Sequence, residues 1–352
     1  MSIKRLFNHH LYIPLIKYMC VGVLLLNLVA CGSSDDDLIG NWVSIYDVEA
    51  GGRSDAVSVS VDNFGYFGTG YNSSDKERYN DWWKYDPNAN SYVQLADFPN
   101  KVSGAVAFAC GGDIYVGGGY DGDVRLNAFY KYSISDNSWT QIDDFPGDAR
   151  FGAVAFTVND KGYVGTGIAE DSKYMKDFYC YDPSTSQWSI STSFGGTKRY
   201  EAVAFVIDNV AYVVTGTKSA KVYDFWKYDG NKNPDKVVWE QLRDIADTDD
   251  DNSYDDDYDN IIRYGAVAFV SGGKGYVTTG GSGGTGNVTW EYDPSDDTWD
   301  EMTAFEGSSR GGAVSFSLND TGYVLTGSSY SDIWYFQPNA EQDDYDNGST
   351  SY

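Results

Sequence analysis

The hydrophobic positions of this chain recur in short runs separated by polar turns, a pattern typical of β-strands. In one stretch, small apolar residues run from Ala153 to Thr157, and a second run follows with glycine at both ends, Gly162–Gly167. A third, aromatic-rich run ends in an Asp-Pro turn at 182–183, and a fourth begins at Trp188. Short apolar runs bounded by Gly, Asp and Pro predict strands joined by tight turns.

This four-run unit is repeated along the chain. The segment Arg150–Phe156 recurs at 199–205, 263–269 and 310–316, and weaker copies lie at 53–59 and 102–108. Every copy shares one alanine: Ala56, Ala105, Ala153, Ala202, Ala266 and Ala313. Four strands in about 50 residues is the period of a β-propeller blade. The sequence therefore predicts an all-β, six-bladed propeller, not the several domains that 352 residues suggest by length alone.

The ends of the repeat array indicate how the propeller closes. Trp139, Trp188 and Trp299 each lie 14 residues before the next shared alanine, and Trp42 has the same spacing to Ala56 with no unit in front of it. The sixth unit stops near residue 338 without a Trp strand of its own. We therefore expect the Trp42 strand to complete the last blade, which would remove an exposed sheet edge.

The order Arg, small strand, Tyr-Val-x-x-Gly, Tyr-Asp-Pro, Trp resembles the kelch repeat over about residues 42–338. One departure is that kelch repeats close the second strand with Gly-Gly. Here Gly118-Gly119 and Gly280-Gly281 keep that pair, whereas the other four units have Thr-Gly. The resemblance implies that the first strand of each blade lines a central channel. It also implies that ligands bind where the fourth-to-first and second-to-third loops meet on one face.

The N-terminal segment has the order of a secretory signal, with basic residues, an apolar run from Val21 to Ala30, and then Cys31. Leu28–Cys31 resembles the lipobox of bacterial lipoproteins, and the acidic residues that follow resemble the tether of surface-exposed lipoproteins of the Bacteroidetes. We expect a removed signal at 1–30, an acylated Cys31 with an acidic tether at 31–40, the propeller at 41–338 and a polar tail at 339–352. This predicts an outer-membrane lipoprotein, with cell-surface exposure favoured over the periplasmic face.

Charge and histidine content narrow the functional classes. The formal charge is −27, and removal of residues 1–30 takes three cations with it, which leaves 22 − 52 = −30. Such acidity argues against nucleic acid and anionic lipid surfaces as partners. Both histidines, His9 and His10, lie in the signal. The mature chain therefore lacks the residue needed for Ser-His-Asp catalysis and for His-ligated metals.

No cofactor or metal is expected, although two features leave alternatives open. Cys110 and Cys180 are interpreted as buried free thiols, with a disulfide as the alternative. The acidic segment 247–260 is interpreted as a solvated loop, with a calcium site as the alternative.

The arginine that opens most repeats is the main candidate for ligand binding. Tyr200 and Tyr264, with Phe151, follow three successive arginines, so cationic and aromatic groups alternate. Kelch adaptors grip acidic peptides at matching positions, and guanidinium forks suit carboxylates. The alternative is that these arginines bridge blades through backbone carbonyls. The candidate ring consists of Arg53, Arg150, Arg199, Arg263 and Arg310.

Two acidic residues depart from the repeat at the position before the shared alanine. Four units have Gly there, whereas unit 1 has Asp55 and unit 4 has Glu201. Units 1 and 4 of a six-bladed ring stand opposite each other, so these carboxylates either flank a ligand across the channel or are simply packed and solvated. An acid–base role would need a carboxylate within hydrogen-bond reach of the reacting proton.

Together these features favour a monomeric, non-catalytic binding module for a glycan or an acidic protein partner. The first alternative is an enzyme similar to the sialic-acid epimerases and mutarotases found among six-bladed kelch propellers. In that case Arg150, Arg199 or Arg263 would hold the sugar carboxylate, and Glu201, or Asp55 opposite it, would act as the base. The second alternative is a scaffold subunit of a surface complex that uses the blade rims.

Overall fold

A computed structural model describes residues 38–232, 239–245, 260–281 and 285–343 of the chain. The expected signal, Cys31, most of the tether, the acidic segment 247–259 and the last residues of the tail lie outside the described residues. Within these ranges no helix is long and apolar enough to cross a bilayer.

Six four-stranded antiparallel sheets form the six blades of a propeller. Blade 1 comprises β2 (Val57–Val61), β3 (Phe64–Gly68), β6 (Trp82–Asp86) and β7 (Ser91–Gln94), and blade 2 comprises β8 (Val106–Cys110), β9 (Asp113–Gly117), β10 (Phe129–Ser133) and β11 (Ser138–Gln141). Blade 3 comprises β12 (Val154–Val158), β13 (Lys161–Gly165), β16 (Phe178–Asp182) and β17 (Gln187–Ile190), and blade 4 comprises β18 (Val203–Ile207), β19 (Val210–Val214), β20 (Trp226–Asp229) and β21 (Trp239–Gln241). Blade 5 comprises β22 (Val267–Ser271), β23 (Lys274–Thr278), β24 (Thr289–Asp293) and β25 (Thr298–Met302), and blade 6 comprises β26 (Val314–Leu318), β27 (Thr321–Leu325), β28 (Asp332–Gln337) and β1 (Asn41–Asp47).

Two small hairpins and two short 3₁₀ turns lie in the loops between second and third strands. The hairpins pair β4 (Tyr71–Asn72) with β5 (Glu77–Arg78) and β14 (Ile168–Ala169) with β15 (Lys173–Tyr174). The 3₁₀ turns span Glu170–Ser172 and Thr285–Asn287. The all-β, six-bladed prediction is therefore confirmed.

The predicted closure by the N-terminal strand is also confirmed. β1 pairs antiparallel with β28, so Trp42 stands opposite Phe336 and Asn41 stands opposite Gln337. Trp42 has no exposed surface, and its indole Nε1 donates a hydrogen bond to Thr289 Oγ1 of blade 5 at 3.2 Å. Trp42 thus connects the N-terminal strand, which belongs to blade 6, to the neighbouring blade 5.

The first strand of each blade alternates between the core and the channel, as the two-residue period of a strand requires. In β12, Val154, Phe156 and Val158 are buried, whereas Ala155 and Thr157 face the channel. Because the channel-facing residues are mostly Ala, Ser and Val, the strands enclose a cavity of about 730 Å³. This lining agrees with the expectation that first strands form the channel wall.

Glycine in the second strand allows neighbouring blades to pack closely. A Cβ at Gly162 of blade 3 would lie 2.0 Å from the Phe108 ring of blade 2. Phe108 in turn stacks on Tyr115 with a centroid distance of 5.1 Å. Equivalent contacts join Gly65 to Phe316, Gly275 to Phe205 and Gly322 to Phe269. Aromatic rings of one blade therefore pack directly against the second strand of the next blade, and only glycine at these positions leaves room for them.

The structure changes one detail of the repeat alignment. The residue after the second strand has a positive φ in every blade, and in blade 5 this residue is Thr279, followed by Gly280. Blade 5 therefore has the Thr-Gly pair, and Gly280-Gly281 lies one residue out of register. Gly118-Gly119 of blade 2 is the one Gly-Gly pair at this position.

Both cysteines of the propeller, Cys110 and Cys180, are free and buried, as expected. Burial raises the pKa of the Cys110 thiol to about 12, and the pKa of Cys180 also rises because of burial. A thiol with a raised pKa is protonated at neutral pH and therefore poorly reactive.

Candidate binding site at the channel mouth

The fourth-to-first and second-to-third loops meet at one end of the propeller, which we call the mouth. Backbone bridges join the two kinds of loop, as between Ser54 and Tyr71, Ser103 and Tyr120, and Phe151 and Ile168. The sequence-predicted site residues that fall in the described ranges lie in or beside these loops. Their side chains, however, point to different environments.

The five repeat arginines are buried inside the blades, with exposed fractions between 0% and 5%. In each, Nη1 donates to the backbone carbonyl of the threonine 16 residues later, at 2.9–3.1 Å. Those threonines have φ between 58° and 64°, an unusual conformation for a β-branched residue. The arginine therefore holds a strained turn. The pairs are Arg53–Thr69, Arg150–Thr166, Arg199–Thr215, Arg263–Thr279 and Arg310–Thr326.

Four of these guanidinium groups also pair with an aspartate that lies just before the third strand or, in blade 6, at its first residue. Arg150 binds Asp177 in bidentate fashion, with Nη1–Oδ1 at 2.7 Å and Nη2–Oδ2 at 2.9 Å. Such forks are geometrically specific as well as strong. The same fork joins Arg53 to Asp81 and Arg310 to Asp332. Arg199 pairs with Asp224 through a single Nη2–Oδ2 contact at 2.5 Å, and its Nη1 donates to the Asp224 backbone carbonyl at 3.1 Å.

Blades 2 and 5 depart from this arrangement in informative ways. Blade 2 has Val102 in place of the arginine and Ala128 in place of the aspartate, so both partners are replaced together. In blade 5 the aspartate position is Val288, and Arg263 donates to the carbonyls of Asn260 and Val288 at 2.9 Å. Burial lowers the pKa of Arg263 to about 10.

This placement differs from the expectation of a ligand-binding arginine ring. The guanidinium donors are already used by backbone carbonyls and carboxylates of the same blade, and a ligand at the mouth would have to displace those bonds. The alternative expected these arginines to bridge blades through backbone carbonyls; they do bond to carbonyls, but within one blade. This geometry applies to Arg53, Arg150, Arg199, Arg263 and Arg310.

Replacing Arg199 with valine is expected to destabilise the protein by about 3–5 kcal/mol, because Asp224 would then be left without its buried partner. The double variant Arg199→Val/Asp224→Ala reproduces the pair found in blade 2 and should recover a large part of that loss. Urea unfolding of the native chain and both variants measures the difference. Equal destabilisation by the single and double variants would contradict the pairing.

A closed ring of backbone hydrogen bonds surrounds the channel axis at the mouth. Six residues, one from each blade, form this ring, which we call the throat ring. The backbone N–H of each donates to the backbone carbonyl of the equivalent residue in the preceding blade at 2.7–3.1 Å. All six have φ between 51° and 62°, the left-handed region in which glycine is favoured. The throat ring consists of Asp55, Gly104, Gly152, Glu201, Gly265 and Gly312.

Asp55 and Glu201 occupy two opposite positions of this ring and keep left-handed backbones at a cost that glycine would avoid. Burial raises the pKa of Asp55 to about 6, although the charge of Arg78 opposes the rise. Burial, and then the charge of Asp55, raise the pKa of Glu201 to about 7. No hydrogen bond links either carboxyl to a described residue.

Aromatic side chains surround this acidic pair on one side of the mouth. The Phe151 ring covers Gly104, and the Tyr200 ring covers Gly152. Tyr174 lies 5.7 Å from Tyr200 between ring centroids, and Tyr264 is 40% exposed. Burial raises the pKa of Tyr200, and the charges of Glu201, Tyr174 and Tyr264 add to that rise. The side chains of the predicted aromatic residues therefore line the mouth, whereas the side chains of the arginines that precede them in sequence are buried inside the blades.

Arg78 is a cation at the mouth that the repeat pattern did not identify. Its guanidinium lies between the rings of Tyr71 and Tyr120, at 4.8 and 4.7 Å from their centroids, and Nε donates to Ser103 Oγ at 3.2 Å. It forms no ion pair with a carboxylate in the described ranges. The sequence signal was available, because Arg78 is an arginine outside the repeat position and beside a tyrosine-rich turn.

Across residues 38–232, 239–245, 260–281 and 285–343, no group of three or more His, Cys, Asp or Glu side chains is arranged to hold a metal ion. Asp55 and Glu201 form a pair without a third ligand. The chemistry available at the mouth is therefore that of two protonatable carboxyls, one stacked guanidinium and several aromatic faces.

Comparisons with known proteins bear on the fold. Residues 52–216 match the family model of the KLHDC2/KLHL20/DRC7 Kelch-repeats domain. None of the curated protein sequences compared with the chain matches it. Among solved structures, the one titled "Structure of YjhT" is similar with a TM-score of 0.66 and 18% identity, over 82% of this chain and 95% of that one. At this identity the similarity concerns the fold alone. The chain is thus a six-bladed β-propeller, of which residues 52–216 match a kelch-repeat model.

Proposed function

We propose that this propeller is a non-catalytic binding module whose mouth holds a glycan. The observation that carries the proposal is the pair Asp55 and Glu201, half-buried carboxyls with raised pKa values and no hydrogen-bond partner among the described residues. Partly desolvated acceptors without a protein partner are free to bond to a ligand that replaces water. Sugar hydroxyls are suitable donors to such carboxyls.

The surroundings of the pair support the same class of ligand. Phe151, Tyr200 and Tyr264 offer flat apolar faces beside a few convergent polar groups, a combination typical of small-molecule sites. Arg78, fixed between two tyrosines, offers a cation to an acidic substituent of the sugar. An acidic protein partner is less favoured, because the five buried arginines cannot supply the basic surface on which that alternative depended.

The cellular setting is proposed from the sequence pattern alone. Cys31 would tether the module to the outer membrane, with the mouth available to glycans outside the cell, and the propeller would act as a monomer. This part of the proposal depends on the lipobox resemblance of Leu28–Cys31.

A glycan array probed with the purified full chain tests the binding proposal. Glu201→Gln keeps the size of the side chain and removes its charge, so we expect binding of the recognised glycan to weaken by about tenfold or more. Tyr200→Ala should weaken it as well, through loss of the aromatic face. Glu341→Gln, an exposed change of the same kind, is the control and should bind like the native chain.

Absence of any glycan ligand, or equal binding by Glu201→Gln and the native chain, would contradict the proposal.

An enzyme acting on an acidic sugar is the second candidate, favoured by the pKa of about 7 at Glu201, which suits a general base. Deuterium incorporation at a sugar carbon in heavy water, abolished in Glu201→Gln, would replace binding with catalysis. Arg150, Arg199 and Arg263 would not hold the carboxylate in that case, whereas Arg78 is placed to do so.

A further inference from the structure

A second pocket lies at the rim between blades 3 and 4, outside the throat ring. It has a volume of about 730 Å³ and is open to solvent on one side. Four lysines line it, from three separate loops, and two aromatic side chains complete its wall. We call it the lysine pocket; it is lined by Lys173, Lys176, Lys198, Lys218, Tyr174 and Trp226.

The concentration of positive charge in this pocket contrasts with the rest of the chain, which has 52 acidic and 25 basic residues. Lys173 pairs with Asp148 at 2.5 Å. For Lys176, Lys198 and Lys218 no ion pair with a described carboxylate exists. Like charges gathered in one cavity repel each other unless an anion is bound between them.

The acidic residues of the wall neutralise only part of this positive charge. Asp224 is already paired with Arg199 at 2.5 Å and also accepts hydrogen bonds from Thr197 N and Trp226 Nε1. Asp244 accepts a hydrogen bond from the neutral Gln241 Nε2 at 2.7 Å, so its negative charge offsets one of the three lysines without an ion pair. The pocket therefore still presents a net positive surface to solvent.

The walls of the pocket are fixed by packing. A Cβ at Gly195 would lie 2.4 Å from the Trp226 ring, so the loop can follow the indole closely only because this residue is glycine. Trp226 packs against Phe194 at 5.5 Å, and the Tyr174 hydroxyl bonds to Ser219 Oγ at 2.7 Å. Two fixed aromatic side chains beside exposed cationic groups fit a ring-shaped ligand that carries negative charge.

We infer that the lysine pocket binds an acidic oligosaccharide through its carboxylate or sulfate groups, with Lys176, Lys198 and Lys218 as the cationic contacts. The aromatic wall favours a saccharide over an acidic peptide, because sugar rings pack against flat apolar faces. This inference does not depend on ligand binding at the throat ring, since no throat-ring residue lines the pocket.

Isothermal titration calorimetry with the full chain tests the inference. The probes are a trigalacturonate, a sulfated heparin tetrasaccharide, neutral maltotriose and a hexaglutamate peptide. We expect at least one acidic saccharide to bind, with an affinity that falls as salt is added, and maltotriose to bind at least about thirtyfold more weakly. The two acidic saccharides distinguish carboxylate from sulfate recognition.

Matched triple variants locate the site. Lys176→Gln/Lys198→Gln/Lys218→Gln should lose at least about thirtyfold in affinity. Lys76→Gln/Lys101→Gln/Lys131→Gln removes the same charge from blades 1 and 2 and should bind within about threefold of native. Any binding that the pocket triple variant retains and that Glu201→Gln weakens belongs to the throat ring, which separates the two sites.

Three results would overturn the inference. These are no binding of either acidic saccharide by the native chain, equal binding by the pocket triple variant, or tighter binding of hexaglutamate than of both saccharides. Circular dichroism and thermal melting of each variant establish that the fold is intact, since all three pocket lysines are exposed.

Discussion

Removal of residues 38–50 is expected to destabilise the propeller by about 5 kcal/mol or more, a large part of the stability of an ordinary domain. The deletion removes β1 and leaves the outer edge of β28 without its hydrogen-bond partner. It also removes Val48, which is 3% exposed, and the Ala50 carbonyl that accepts a hydrogen bond from Arg53. Thermal melting followed by circular dichroism measures the effect.

The aromatic contacts of Trp42 explain why this strand matters so much. Its ring lies 4.7 Å from Phe336 of blade 6, and 4.9 and 5.9 Å from Phe305 and Phe269, which lie beyond its own blade. Loss of the indole would open a cavity between blades 5 and 6 and remove the hydrogen bond that the indole donates to Thr289 Oγ1. Trp42→Ala alone should therefore cost about 3–5 kcal/mol.

A control from the same segment separates closure from a general effect of mutation. Ile39 is 56% exposed, so Ile39→Ala should change stability by less than about 0.5 kcal/mol. If the deletion variant melted at the native temperature, closure by β1 would not stabilise the ring. A further consequence of an unpaired β28 is association of the deletion variant at its open edge, which light scattering detects.

The native protein is expected to be more stable at pH 5 than at pH 8, because of Asp55 and Glu201. Their pKa values rise from ordinary values of 3.8 and 4.5 to about 6 and about 7 on folding. At pH 5 the folded state therefore binds more protons than the unfolded state, and this contribution is lost as pH rises through the folded pKa values. Between pH 8 and pH 5 the two groups together raise the free energy of unfolding by on the order of 2–4 kcal/mol.

The variant Asp55→Gly/Glu201→Gly gives the throat ring the residue found in the other four blades. It should lose that part of the pH dependence and gain stability at pH 8, where both buried carboxyls are charged in the native protein. Relief of the left-handed backbone adds about 1 kcal/mol per residue at every pH. Urea unfolding at pH 5 and pH 8 separates the two contributions, since only the charge effect changes with pH.

The matched control is Asp62→Gly/Asp208→Gly. Both aspartates have positive φ (48° and 49°) but lie exposed in turns between first and second strands. The control therefore relieves a similar backbone strain and removes the same number of charges without uncovering a buried group. A native pH dependence that survives in the throat variant, or disappears in the control, would contradict the assignment.

The fold was predictable because its signals are periodic. The 14-residue spacing from Trp42 to Ala56 repeats that of complete blades, so the closing strand could be identified without coordinates. The same register marked Asp55 and Glu201 as the residues that replace glycine. Periodic positions in a propeller repeat the same environment, and a departure from the consensus is therefore visible in the sequence.

The direction of the arginine side chains was not predictable for a related reason. Repetition shows that a position is retained but not whether its side chain points to solvent or into the blade. The partner aspartates follow their arginines by 28, 27, 25 and 22 residues, since the intervening loops differ in length. Because the spacing varies, the arginine–aspartate pairs cannot be recognised from a fixed interval in the sequence. Lys176, Lys198 and Lys218 are likewise brought together by loops of unequal length.

The throat ring has a consequence for how recognition at the mouth can change. All six of its N–H groups are engaged in the closed circle of hydrogen bonds, so its backbone has no donor left for a ligand. Selectivity there must come from side chains, and two of the six positions supply them. A family of such propellers could exchange ligands by substituting single residues of the ring, most readily at Gly265, where a Cβ would have no atom closer than 3.4 Å. Asn and Asp would be the substitutions easiest to accept, since they tolerate the left-handed conformation best after glycine.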